Sequence, residues 1–131
     1  MRTFVHRNAA RLDPDDYYTA YNKPFSIGSW LNETDVEEEW ILFIDSDMLF
    51  LETVTPEDFA HEGLQKGTSI GGFFDYLTAG VNNSDVASRF VPDPSLRDLI
   101  AKVGAWVLMH RSDMEKVAPN WLEVTRQVSR R

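Results

Sequence analysis

Two uninterrupted apolar runs stand out from an otherwise mixed chain, Trp40 to Ile44 (WILFI) and Val103 to His110 (VGAWVLMH). Five residues bounded by charge are too few for a free-standing helix, and a strand with only one buried face would alternate apolar and polar side chains. Both runs therefore read as buried strands. The first reads as a central strand covered on both faces, the pattern of a parallel or mixed sheet with helices above and below. Thr68 to Leu77 (TSIGGFFDYL) reads as a third strand, in which two adjacent glycines invite a bulge or a close backbone approach. A short run at Arg2 to His6 is a further strand candidate.

Helical signals lie between these runs. Tyr21 to Thr34 (YNKPFSIGSWLNET) places Asn22 as a cap, Pro24 in the first turn, and Ile27, Trp30 and Leu31 on one face. Thr55-Pro56-Glu57-Asp58 is a helix start and Gly63 a stop. Ser112 and Glu115 have capping-box spacing, with Met114, Val117, Trp121, Thr125 and Val128 as the buried stripe behind them. Pro119 is expected to divide that segment into one short turn and a longer helix. Asp13 to Tyr18 (DPDDYY) reads as a turn or surface loop, Asp35 to Glu39 as a solvated acidic patch, and Ala79 to Asp85 as a loop. The alternation of strands and helices predicts a layered α/β domain. A helical pattern still in progress at Val128 to Arg131 suggests a piece of something larger.

Composition narrows the function. With 13 basic and 21 acidic residues the chain carries a net charge of -8, the wrong sign for holding a nucleic-acid backbone. No stretch reaches the roughly 20 apolar residues of a membrane span, and no apolar signal-peptide core is visible. Cysteine is absent, which removes disulfides and thiolate metal sites. Two glycosylation triplets, Asn32-Glu33-Thr34 and Asn82-Asn83-Ser84, are compatible with a secretory lumen.

The candidate chemistry sits at the end of WILFI. Asp45 and Asp47 follow the strand one residue apart, and ligands of open α/β sheets bind beyond the carboxyl ends of strands. If the extended chain continues, alternation turns both carboxylates toward one site. Two hard oxygen donors suit Mg²⁺ or Mn²⁺, which would relieve the repulsion between them and stabilise a departing diphosphate. Two other readings stand beside this one. The aspartates also read as turn-capping groups bonded to backbone N–H, or as the nucleophile and general acid of a haloacid-dehalogenase-type phosphatase. Leu49 stands where that phosphatase motif expects Thr or Val.

Four separated segments, Tyr21–Leu31, Glu37–Leu51, Gly80–Ser84 and Lys102–Thr125, together resemble the hydroxyproline O-arabinosyltransferases and peptidyl serine α-galactosyltransferases of plants and green algae. The resemblance covers nearly the whole chain. It implies part of a single GT-A type glycosyltransferase domain: a mixed sheet flanked by helices, incomplete in these 131 residues. It implies a UDP-sugar donor (galactose or arabinose), a Mn²⁺ or Mg²⁺ cofactor held by Asp45 and Asp47, and a serine- or hydroxyproline-rich protein acceptor. Asn22, Lys23 and Asp45 are its donor-side candidates, and Asn82 and Asn83 its acceptor-side candidates. Asp-Ser-Asp stands nearer the Asp-Pro-Asp of the serine galactosyltransferases than the Glu-Pro-Asp of the arabinosyltransferases. The family also implies a Golgi or ER lumenal location in a type II membrane protein, strands that hold the base, and a late metal-binding His, none of which falls within these residues. A truncated, non-catalytic relative is the rival class. His110 reads as structural, and His6 and His61 carry no supporting context.

Overall fold

The computed structural model describes residues 4–35, 37–45, 47–73, 88–89, 91–97 and 103–129. In chain order these form β1 (Arg11–Asp13), β2 (Asp16–Tyr17), a 3₁₀ turn (Thr19–Tyr21), α1 (Asn22–Glu33), β3 (Trp40–Ile44), a 3₁₀ helix (Pro56–Glu62), β4 (Ser69–Phe73), α2 (Pro94–Arg97), β5 (Val103–His110) and α3 (Arg111–Ser129). The α/β class read from the sequence holds. The chain divides into two compact units, one of Met1–Glu39 with His110–Arg131 and one of Trp40–Met109. Among the described residues no helix is long and apolar enough to cross a membrane.

The first unit is a helix pair, α1 against α3, with the β1–β2 hairpin tied to it. Its interior holds Ala9, Ala10, Tyr21, Pro24, Ile27, Met114 and Ala118. Tyr21 is fully buried, and its hydroxyl donates to the Asp16 carboxylate at 2.6 Å and meets the Ser129 hydroxyl, so the one polar atom on a large apolar body is satisfied. Arg126 adds an ion pair to Asp13 at 3.1 Å. The end of α3 is thus fastened to the hairpin by two separate polar ties.

Several local expectations change here. The segment Asp13 to Tyr18 does turn, at Pro14–Asp15, but short strands flank the turn. Phe4 to His6 forms no strand; the His6 ring stacks on Phe4 (6.2 Å) and meets Phe25 of α1 (5.6 Å), so these side chains pack on a helix instead of pairing. Asn22 is not the cap of α1. The 3₁₀ turn runs straight into the helix and takes the Asn22 N–H on the Thr19 carbonyl, leaving the Asn22 side chain to accept the Ala9 amide at 2.7 Å. Pro119 does not break α3, which is continuous. The proline lies on an exposed face, where a carbonyl that loses its helical donor can bond water, and Asn120 Nδ2 donates to the neighbouring Lys116 carbonyl at 3.2 Å. The buried stripe of α3 is centred on Met114 and Ala118, while Val117 is 42% exposed. The capping box is also displaced: α3 starts at Arg111, and His110 Nδ1 accepts the Ser112 amide at 3.2 Å while lying 2.9 Å from the Ser112 hydroxyl. The structural reading of His110 is thereby given a definite form.

The second unit is built on a three-stranded sheet in the order β3-β5-β4. β4 and β5 are antiparallel. So are β3 and β5: the amide of Arg111 donates to the Glu39 carbonyl (2.7 Å) and that of Asp45 to the Ala105 carbonyl (2.8 Å), so partners descend as the chain ascends. Among the described residues β5 is the central strand and β3 lies at an edge, with only Ile41 of β3 buried. The apolar run of WILFI therefore reflects a cavity on one face, described below, as well as the core on the other. Thr55 and Gly63 bound the 3₁₀ helix as expected: the Thr55 amide donates to Asp58 Oδ2 at 2.8 Å, and Gly63 has φ 85°, open to glycine at no steric cost.

Candidate functional site

β3 ends at Ile44, and the two aspartates lie on the turn that follows. The Met48 amide donates to the Asp45 carbonyl at 3.1 Å, the three-residue closure of a tight turn, for which Asp is a favoured first residue. The carboxylates are therefore carried by a turn, and the strand alternation expected to align them stops one residue short. Asp45 is half-buried and Asp47 exposed. Residues 45–62 carry Asp45, Asp47, Glu52, Glu57, Asp58 and Glu62 with no Lys or Arg. Such a stretch repels a bare diphosphate and attracts a cation. The donor set fits a divalent hard cation as a partial one: two carboxylates on one turn, leaving positions for water and phosphate oxygens. Among the described residues no group of three or more His, Asp or Glu side chains is gathered to hold a metal.

Asp45 is held from the neighbouring strand by an irregular piece of β5. Pairing runs regularly from Ser69↔Met109 to Gly71↔Val107, and the next pair is Gly72↔Gly104, so Ala105 and Trp106 are passed over on the β4 side. Ala105 has φ 51°, the one described non-glycine residue with positive φ, a conformation that costs an L residue about 1–2 kcal/mol. Its carbonyl is the acceptor for the Asp45 amide. Trp106 folds over Gly72 so closely that a Cβ there would lie 2.7 Å from Nε1 and 2.9 Å from Cδ1. The glycine pair had signalled a bulge or close approach, and both are found, with the extra residues on the facing strand. Nothing in the composition of Val103–His110 points to Ala105, because its backbone angle is fixed by partners distant in sequence.

An apolar cavity of about 150 Å³ lies beside the turn, walled by Leu42, Ile44, Met48, Phe50, Phe59 and Trp106 among others. It is smaller than the roughly 300 Å³ at which small-molecule sites begin, so it is a packing space and not the seat of a nucleotide sugar. Neither aspartate lines it. Leu49, at its mouth, and Leu51 are 89% and 95% exposed.

The remaining candidates are placed as follows. Asn22 and Lys23 open α1 in the first unit; the Asn22 side-chain Oδ1 accepts the Ala9 amide, and Lys23 is exposed. Asn82 and Asn83 lie outside the described residues. Asn32 is exposed in the last turn of α1, and Thr34 of its triplet bonds the Trp30 carbonyl at 2.6 Å. Among the described residues the one carboxyl with a clear perturbation is Asp93, held below its ordinary value by the Ser95 hydroxyl, then by the Ser95 amide. It caps α2.

The sequence model of the hydroxyproline O-arabinosyltransferase family N-terminal domain matches residues 1–131, the whole of this sequence. The chain belongs to that family. It is 34% identical over 86% of its length to peptidyl serine alpha-galactosyltransferase of Arabidopsis thaliana, and 30% identical over 86% to the protein of that name from Chlamydomonas reinhardtii. It is 25% identical over 85% of its length to hydroxyproline O-arabinosyltransferase PLENTY of Lotus japonicus. The chain spans 13%, 16% and 29% of the length of these relatives. The higher identities fall on the serine galactosyltransferases, the side toward which Asp-Ser-Asp leans. No solved structure matches the chain.

Proposed function

We propose that this chain is part of a metal-dependent glycosyltransferase of the GT-A type, moving a sugar from a UDP-sugar to a serine or hydroxyproline hydroxyl of a secreted protein. The observation that carries the reading is the Asp45–Asp47 turn at the end of β3, in a segment with carboxylates and no basic residue. The names of the family relatives supply the acceptor hydroxyl and the choice of galactose or arabinose, and galactose is favoured by the two higher identities. The same membership leaves the phosphatase reading without support.

Asp45 and Asp47 would hold Mn²⁺ or Mg²⁺, which when bound supplies Lewis-acid stabilisation of the diphosphate leaving group. The β3–β5 bond at Asp45 keeps the first carboxylate on fixed backbone, the preorganisation such a site needs. The acceptor oxygen forms the new bond to the anomeric carbon as the bond to the diphosphate breaks, the diphosphate leaving with the electron pair and the hydroxyl proton passing to solvent. Asn82 and Asn83 are proposed on the acceptor side and Lys23 on the donor side by family likeness, and the compartment is proposed as the Golgi or ER lumen. Calorimetry of UDP in the presence of Mn²⁺ tests the reading: binding by the unaltered chain that is lost in Asp47→Ala supports it, and equal binding by both refutes the assignment. Hydrolysis of a UDP-sugar separates an active transferase from a non-catalytic relative.

A further inference from the structure

We propose that the Ala105–Trp106 bulge is the positioning device of the Asp45–Asp47 turn, and that residue 72 is glycine in order to admit it. The inference rests on reading that turn as the cation and diphosphate site. An irregularity that only absorbed a register mismatch would need no unfavourable backbone at an alanine. Here the residue with positive φ is the one whose carbonyl accepts the Asp45 amide. The Asp45–Ala105 bond keeps the register of the Arg111–Glu39 bond, so it is a rung of the β3–β5 ladder made where β5 loses its regular pairing with β4.

Trp106 supplies the second grip. Its ring lies over Gly72, meets Phe59 at 5.6 Å between centroids, and shares the apolar cavity with Met48. The Met48 amide closes the turn onto Asp45. The first residue of the turn is thus held by the Ala105 carbonyl, and the last walls the same apolar cavity as Trp106. Two adjacent bulge residues act on the two ends of one turn, an arrangement that fixes where the carboxylates begin and where the chain leaves them.

Gly72→Ala drives a methyl group into Trp106 and should disturb the turn without touching it. The measurements are exchange of the Asp45 amide by NMR and binding of Mn²⁺ alone by calorimetry. Expected for Gly72→Ala are Asp45 exchange and Mn²⁺ dissociation constants each raised about tenfold, with amides of α1 and α3 unchanged. Trp106→Phe, which shrinks the wedge without a clash, should move both in the same direction by roughly threefold, and it decides the matter if Gly72→Ala does not fold. Gly28→Ala, where a Cβ meets open space, is the control and should move neither. Unchanged Asp45 exchange in a folded Gly72→Ala or Trp106→Phe chain overturns the positioning role. Absence of Mn²⁺ binding in the unaltered chain overturns the metal reading instead, while Asp45 exchange still decides whether the bulge holds the turn.

Discussion

The two units solve different problems with their backbone and their apolar residues. In the first, buried side chains interlock across α1 and α3 and the fully buried Tyr21 finds partners for its hydroxyl. In the second, the described buried apolar residues are Ile41, Leu108 and Met109, while Leu49, Phe50 and Leu51 stand in water beside the aspartate turn. Its one described positive-φ alanine bonds the first residue of that turn from the neighbouring strand. Interlocked side chains mark the unit that stabilises, with Arg126 Nε its one described buried side-chain polar atom lacking a hydrogen bond, and a strained strand beside acidic and exposed apolar groups marks the unit that would do chemistry.

That contrast predicts a double dissociation, which can be broken from either side. The largest effect is expected at Asp47→Ala, where Mn²⁺-dependent UDP binding should disappear and thermal unfolding should not move, since the side chain is exposed. A lowered melting temperature would mean that the aspartate is structural. Met114→Ala should do the reverse, costing about 2–5 kcal/mol through loss of a buried side chain and the cavity left behind. Denaturant titration measures it, and a loss below about 1 kcal/mol would show that the α1–α3 interior is loose. Tyr21→Phe should cost about 1–3 kcal/mol by leaving the Asp16 carboxylate and Ser129 hydroxyl short of a buried partner, with UDP binding intact. Leu51→Ser should change stability by no more than about 0.5 kcal/mol, because the side chain is 95% exposed. The smallest effect is expected at Asp93. Its lowered pKa means that the folded chain holds the proton less tightly than the unfolded one, so its contribution is present above the ordinary carboxylate range and is lost as pH falls through it. Asp93→Asn should flatten the acid limb of the stability curve slightly, and an unchanged limb would remove Asp93 from acid unfolding.

The sequence determined what depends on neighbours a few residues away. WILFI and VGAWVLMH became strands with the expected bounds, and Thr55 and Gly63 bounded a helical turn. These features follow from apolar run length, capping chemistry and glycine's freedom at positive φ. Tertiary structure decided the rest: that β3 is antiparallel to β5 and at an edge among the described strands, that Asp45 and Asp47 ride a turn, that Asn22 bonds Ala9 instead of capping, and that α3 passes through Pro119. Each depends on which distant group meets a backbone N–H or C=O, and neither the period nor the composition of a single segment specifies that partner. The bulge shows the division most sharply. Its glycine was visible as Gly72, but the residue with the unfavourable backbone is an ordinary alanine at φ 51°, whose carbonyl accepts the Asp45 amide across the sheet.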